Sequence, residues 1–355
     1  MMTPQTIEEL QDAVRSLDSV GVTGGGTKPA LSRGANLSTE KLSGILEYEP
    51  SEYTFTALAG TPLAEIRDAL AKNGQFLPFD PPFVETGATI GGTVAAGLSG
   101  PGRFRFGGVR DFFLGVRMVT GEGQAIFGGG KVVKNAAGFD IPKLNSGALS
   151  QWGVLAELTF KVFPAPGEFA TILIETANSA ESLAVTTRLA RSQVELYCLD
   201  SVEDSVQVRV GGLPEALEAR CERVQQIVGE SPSTILRGED DDTHWNDVRE
   251  FRWVPSDHAL IKLPISPKEA DSVEVVIQST GQSIPHRFSV GSNVVWIAWP
   301  NSSNQTEFDR VFGSAKLNRI ALTGDWEQPV RVDDAGAAFA SRLRSVFDPA
   351  GRFAG

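Results

Sequence analysis

The sequence predicts an α+β fold in two parts, the second built on an antiparallel sheet. Three observations carry this. Of 37 glycines in 355 residues, 26 fall in residues 1–167 and 11 in residues 168–355. Formal charge divides at the same place, with net −2 before it and −10 after it, together the −12 of the chain. Short alternating apolar runs are interleaved with amphipathic helical stripes, and the length is ordinary for two domains. The break reads Pro164-Ala165-Pro166-Gly167.

The elements follow in order. Thr6 and Glu9 have capping-box spacing ahead of the stripe Ile7, Leu10, Val14 and Leu17, which predicts an opening helix. Val20 to Thr23 reads as a short strand running into Gly24-Gly25-Gly26-Thr27-Lys28. Gly44 to Tyr48 and Tyr53 to Leu58 read as strands joined by a turn. Thr61 then caps a helix with Pro62 at its first position, Leu63, Ile66 and Leu70 inward and Gly74 at its end. From Pro78 to Gly108 small residues and prolines prevail, so loops are expected. Val109 to Thr120, Gln124 to Phe127 and Leu155 to Phe163 alternate as strands.

Beyond the break, strands are expected at 171–176, 194–199, 205–210, 259–264, 283–290, 294–299 and 319–322. Helices are expected at 181–191, 213–228, 267–279, 306–316 and 335–347. Cys221 falls on the apolar stripe of the second of these helices and reads as core. The adjacent acids Asp240-Asp241-Asp242 read as a solvated loop. Trp296 and Trp299, three apart in a strand, should face opposite sides, with one of them exposed.

Composition narrows the chemistry. With 41% hydrophobic and 21% charged residues the chain can bury a large core. Its acidity argues against nucleic acid or an anionic membrane as main partner. No apolar run spans a bilayer, no signal peptide is visible, and two cysteines exclude a disulfide framework. A cytoplasmic protein is the expectation.

Glycine then points to a ligand. Neither the P-loop nor the Gly-x-Gly-x-x-Gly pattern occurs. Three other loops remain. Gly24–Lys28 can align backbone N–H groups on an anion such as a pyrophosphate. Thr86-Gly87-Ala88-Thr89-Ile90-Gly91-Gly92-Thr93-Val94-Ala95-Ala96-Gly97 has almost no large side chain and suits either an extended ligand or a tight helix contact. Lys134-Asn135-Ala136-Ala137-Gly138-Phe139-Asp140 joins a cation, an amide and small residues.

These loops, in this order, resemble the FAD-binding oxidoreductases of the vanillyl-alcohol oxidase and p-cresol methylhydroxylase (PCMH) flavin fold. So do Arg105-Phe106-Gly107-Gly108-Val109-Arg110-Asp111 with Leu114-Gly115, Gly153-Val154-Leu155, and the ending Phe347-Asp348-Pro349-Ala350-Gly351. Within that family the likeness is to the E-type FAD-binding subunits of bacterial glycolate oxidases, carried by Gly60-Thr61-Pro62-Leu63, Leu77-Pro78 with Pro81-Pro82, Gly97-Leu98-Ser99-Gly100-Pro101, and Trp245 with Arg249-Glu250.

The resemblance implies a two-subdomain PCMH-type FAD domain over 1–167. An α+β cap for substrate or partner follows over 168–330, and 331–355 returns to the first domain. It implies FAD contacts from Gly24, Gly25, Gly26, Thr27, Lys28, Pro81, Thr86, Gly87, Ala88, Thr89, Gly91, Gly92, Ala95, Gly97, Leu98, Gly107, Arg110, Asp111, Lys134, Asn135, Ala137, Gly138, Asp140 and Val154. It also implies a place beside a larger catalytic flavoprotein and an iron–sulfur subunit, with the inner membrane reached only through them.

Departures qualify the resemblance. The three histidines, His244, His258 and His286, lack the family's paired metal-binding pattern, and none lies in the first part where relatives attach flavin. Non-covalent FAD and no metal are therefore expected. Arg249, Arg252, Lys262 and His258 are the candidates for holding a hydroxyacid carboxylate or moving its proton. Three roles remain open: flavin-mediated glycolate oxidation within a complex, a non-catalytic flavin relay or scaffold, and a stand-alone dehydrogenase of another hydroxy acid.

Overall fold

The computed structural model describes residues 1–130, 139–303, 305–313, 317–332 and 336–353. The chain forms two compact units. One comprises Met1–Gly100, Gly107–Ala165 and the segment from Asp333 onward; the other comprises Pro101–Phe106 and Pro166–Val332.

In the first unit a helix spans Ile7–Ser16, with Thr6 accepting from the Glu9 N–H at 3.2 Å. Glu9 reaches back one residue further than a capping box, to the Gln5 N–H at 2.8 Å. The central antiparallel sheet has five strands, in the order Ile45–Glu49, Thr54–Leu58, Val154–Lys161, Phe113–Val119, Ala125–Gly129. Phe55, Phe113 and Phe79 pack on Phe160 with ring centroids 5.2–5.7 Å apart. A second cluster joins Leu10, Val14, Leu37, Val154 and Phe353. The carboxylate of Asp348 holds the chain end here by accepting from the backbone N–H groups of Arg352 and Phe353.

Three local expectations are corrected. Pro62, not Thr61, is the N-cap of the Leu63–Ala71 helix. The Thr61 hydroxyl is occupied by the Gly44 N–H and the Leu58 carbonyl. The expected strand from Val109 begins as a helical turn, Val109–Phe112, because Asp111 accepts from the Gly108 N–H at 2.8 Å and favours a capped turn there. The small-residue stretch is not all loop. Thr89 accepts from the Gly92 N–H and left-handed Gly97 ends a helix over Ile90–Ala96.

The second unit is a nine-stranded antiparallel sheet. Its order is Ser233–Arg237, Glu168–Glu175, Ser205–Gly212, Leu196–Val202, His286–Ser289, Val294–Pro300, His258–Pro264, Arg319–Ala321, Val330–Arg331. The helices Ser179–Ala190 and Pro214–Val228 bury Leu189, Leu217, Cys221 and Val224 in one core with Ile172, Leu199 and Val208.

Two further expectations fail here. The triple aspartate opens a helix, Glu239–Arg249, rather than forming a solvated loop. Asp241 is 1% exposed. It accepts from Arg209 Nε at 2.9 Å and from the Thr171 hydroxyl. Both Trp296 and Trp299 are buried, because this strand lies inside the sheet with both faces covered.

Candidate functional site

In the first unit a cleft lies along the Gly24–Lys28 loop. Its floor begins with Val22–Thr23, which pairs in parallel with Leu37–Ser38 and delivers the chain into the glycines. A Cβ on Gly24 would come within 2.6 Å of Thr89 Oγ1, and one on Gly25 would fall on the Gly87 carbonyl. The loop therefore lies flat against the 87–89 segment, which only glycine permits. Gly26 turns at φ +68° with open space around it.

Among the described residues, the backbone N–H groups of Gly24 to Lys28 meet no protein acceptor. Successive unbonded N–H groups at a loop make an anion-binding concavity. Lys28 adds a cation. Its Nζ donates to Thr27 Oγ1 at 2.8 Å and lies 5.7 Å from the Phe83 ring centroid. Burial, with no carboxylate acting on it, brings its pKa down from 10.5 to about 8. Open donors and a half-buried ammonium on which no described carboxylate acts fit a pyrophosphate.

The opposite wall comes from the Ile90–Ala96 helix and the start of the Val154–Lys161 strand. Gly91, Gly92, Ala95, Ala96, Val154 and Leu155 line the cleft. Gly91 is pressed onto Ala59, where a Cβ would sit 2.7 Å from the Ala59 carbonyl. Small side chains here let a ligand approach the backbone and leave an apolar wall beside a polar loop.

The structure thus brings together Gly24, Gly25, Gly26, Thr27, Lys28, Gly91, Gly92, Ala95 and Val154. Gly87 and Thr89 stand behind the loop and shape it. Ala88 and Leu98 are buried in the core, Pro81 is buried, and Gly97 packs on Gly147. Thr86 and Arg110 are exposed. Gly107 and Asp111 form the Gly108 cap, and Asp140 caps the Ile141–Asn145 helix through the Lys143 N–H at 3.2 Å. None of these lines the cleft. Lys134, Asn135, Ala137 and Gly138 lie outside the described residues.

Leu31, Ser32, Thr39, Leu149 and Ser150 line the cleft without having been expected. Ser32 lies just beyond the first glycine loop, so its proximity to that loop was an available signal. Leu149 and Ser150 carry no composition signal.

The candidate hydroxyacid groups lie in the second unit. His258 opens the His258–Pro264 strand with Nδ1 2.7 Å from Asp257 Oδ1. Lys262 is four residues along, about 13 Å away at strand rise, buried with Nζ 5.8 Å from the Trp296 ring. Burial lowers its pKa to about 8. Arg249 ends the Glu239–Arg249 helix, and Arg252 pairs with Asp247. His244 contacts Gln207, and burial holds it near pKa 4. His286 contacts Glu274 at 2.8 Å. Among the described residues no group of three His, Cys, Asp or Glu could hold a metal, and no helix is long and apolar enough to cross a membrane.

Residues 1–127 match the family model described as FAD binding domain. The chain is 42% identical over 163 residues to glycolate oxidase subunit GlcE of Escherichia coli (strain K12), covering 45% of this chain and 47% of that protein. It is 28% identical over 211 residues to a D-2-hydroxyglutarate dehydrogenase of Xanthomonas citri pv. viticola, covering 57% and 44%. It is 28% identical over 203 residues to glycolate oxidase subunit GlcD of Bacillus subtilis, covering 55% and 42%. The matched region thus spans about half the length of these curated relatives, or less. A solved alkyldihydroxyacetonephosphate synthase superposes with a TM-score of 0.70 at 16% identity, covering 99% of this chain and 74% of that one, which shows a shared fold. The family model over residues 1–127 indicates FAD as the cofactor, and the cleft is lined by residues in and beyond that match.

Proposed function

We propose that the chain is an FAD-binding subunit of an oxidase or dehydrogenase complex acting on glycolate or a related 2-hydroxy acid, with FAD held non-covalently. The carrying observation is the Gly24–Lys28 loop, whose N–H groups are open and whose half-buried lysine has no anion beside it among the described residues. The likeness to GlcE supports the complex and the substrate class.

In this reading residues 1–167 with 331–355 bind the cofactor, and 168–330 serve a substrate or partner. Bound FAD supplies hydride acceptance from the carbinol carbon of the hydroxy acid. The chain's own residues do the rest. Gly24–Thr27 donate to the pyrophosphate, and Lys28 neutralises it. Gly91, Gly92 and Ala95 admit the cofactor close to the backbone, while Val22, Val154 and Leu155 exclude water from it. The partners would be a larger catalytic flavoprotein and an iron–sulfur protein, in the cytoplasm or at the inner membrane through them.

One observation favours a relay role within that complex. Each histidine is taken up by a separate contact, with Gln207, Asp257 or Glu274. A chain that passes electrons between a catalytic flavoprotein and an iron–sulfur partner needs no histidine cluster. Anaerobic mixing with glycolate decides: bleaching of the flavin in the isolated chain supports oxidation by this chain. Bleaching only after the larger flavoprotein is added supports the relay. Failure to take up FAD refutes both.

A further inference from the structure

Nine described residues other than glycine have left-handed backbones. Four are explained by hairpins. Tyr53, Glu203, Val290 and Ser292 sit between consecutive antiparallel strands, where such turns are usual. Leu149 and Ser150 are different. They are adjacent, at φ 51° and 63°, in the connection from the Ile141–Asn145 helix to the Val154–Lys161 strand, and both line the cofactor cleft. Left-handed backbone at a side-chain-bearing residue costs stability and persists where surrounding structure enforces it.

The enforcing contacts are visible. The Gly147 N–H donates to the Val94 carbonyl at 2.8 Å, and the Leu149 N–H to the Ala95 carbonyl at 2.9 Å. These staple the connection to the end of the Ile90–Ala96 helix, with Gly97 packed on Gly147. The Gln151 N–H returns to the Ala148 carbonyl, and the Ser150 carbonyl accepts from Gly153. Among the described residues, neither the Ser150 N–H nor its hydroxyl has a protein partner.

We infer that Ser150 is a cofactor-positioning residue, held left-handed so that its N–H and Oγ bind an acceptor on FAD from the wall beside the pyrophosphate loop. The assignment rests on the FAD reading above and adds to it a residue that neither composition nor motif indicated. It explains why serine, rather than glycine, occupies a strained position: glycine would relieve the backbone but supply no hydroxyl.

The test titrates FAD into the full chain, following flavin fluorescence, for wild type, Ser150→Ala and Ser150→Gly, with thermal melts of each without FAD. Ser150→Ala should weaken FAD about tenfold, as for loss of one buried hydrogen bond, and leave the melting temperature unchanged. Ser150→Gly should raise the melting temperature by about 2–4 °C through relief of strain and still weaken FAD about tenfold. If both variants bind FAD within twofold of wild type, the assignment is overturned and the strained turn serves packing alone. If wild type itself fails to bind FAD, the FAD reading falls and this assignment falls with it.

Discussion

Replacing Lys28 with methionine removes the one cation that lines the cleft among the described residues and should separate two effects. Moving the ammonium from 10.5 to about 8 corresponds to a penalty of about 3 kcal/mol on its charged form in the folded chain. At pH 7 the folded chain carries that penalty and the unfolded chain does not. The sign follows. Between pH 8 and 10.5 the unfolded state holds the proton and the folded state has lost it, so cofactor-free stability rises with pH over that window. Lys28→Met should abolish the rise and stabilise the cofactor-free chain at pH 7.

Binding goes the other way. A pyrophosphate restores the partner that burial removed, so FAD binding at pH above 8 must take up a proton. Wild-type affinity should fall about tenfold per pH unit above pH 8. Lys28→Met should bind about 10–100-fold more weakly at pH 7, the loss of a charge-assisted contact, with no pH slope. Flavin-fluorescence titrations from pH 7 to 9.5 measure both. A flat wild-type profile, or the same slope in Lys28→Met, would refute the placement of the Lys28 ammonium at the phosphate.

Three further outcomes are expected. Gly25→Ala places a Cβ on the Gly87 carbonyl and should cost about 3 kcal/mol or more of first-unit stability together with FAD binding; unchanged melting and affinity would contradict the packing described. Asp241→Asn leaves buried Arg209 with only the exposed Asp242 carboxylate as its anion and should destabilise the second unit by about 1.5–3 kcal/mol, as for loss of a charge-assisted hydrogen bond, read by denaturant unfolding, without altering FAD affinity. The third concerns His286, where burial works to lower the pKa but Glu274 outweighs it and raises it. Its stabilisation is full below pH 6.5 and lost as pH rises through the raised value, so His286→Gln should flatten stability above pH 6.5, and an unaltered profile would count against the pair.

Much of the first unit was legible because its signals are local. Thr6 caps the first helix, Leu63, Ile66 and Leu70 share a buried face, and glycine marks the loop that must lie flat against Gly87. Other features depend on contacts distant in sequence. The Ile90–Ala96 helix is built of residues with little helical preference and is fixed by Thr89, Gly97 and packing on Ala59. Asp241 looked solvated because its partners, Arg209 and Thr171, are 32 and 70 residues away. Trp296 and Trp299 were assigned opposite exposures by strand alternation, which fails where both sheet faces are covered. Ser150 gave no signal, since left-handed strain at a non-glycine residue is set by the staples to Val94 and Ala95. Lys28 lines the cleft in the glycine loop where the sequence puts it, but the burial that lowers its pKa is visible only in three dimensions.

The most direct measurement is FAD titration of the purified full chain followed by acid precipitation. The account predicts saturable uptake with a flavin absorption spectrum and release of all yellow colour into the supernatant on precipitation. A chain that takes up no FAD at any concentration would contradict the cleft assignment, and colour retained in the pellet would contradict non-covalent binding.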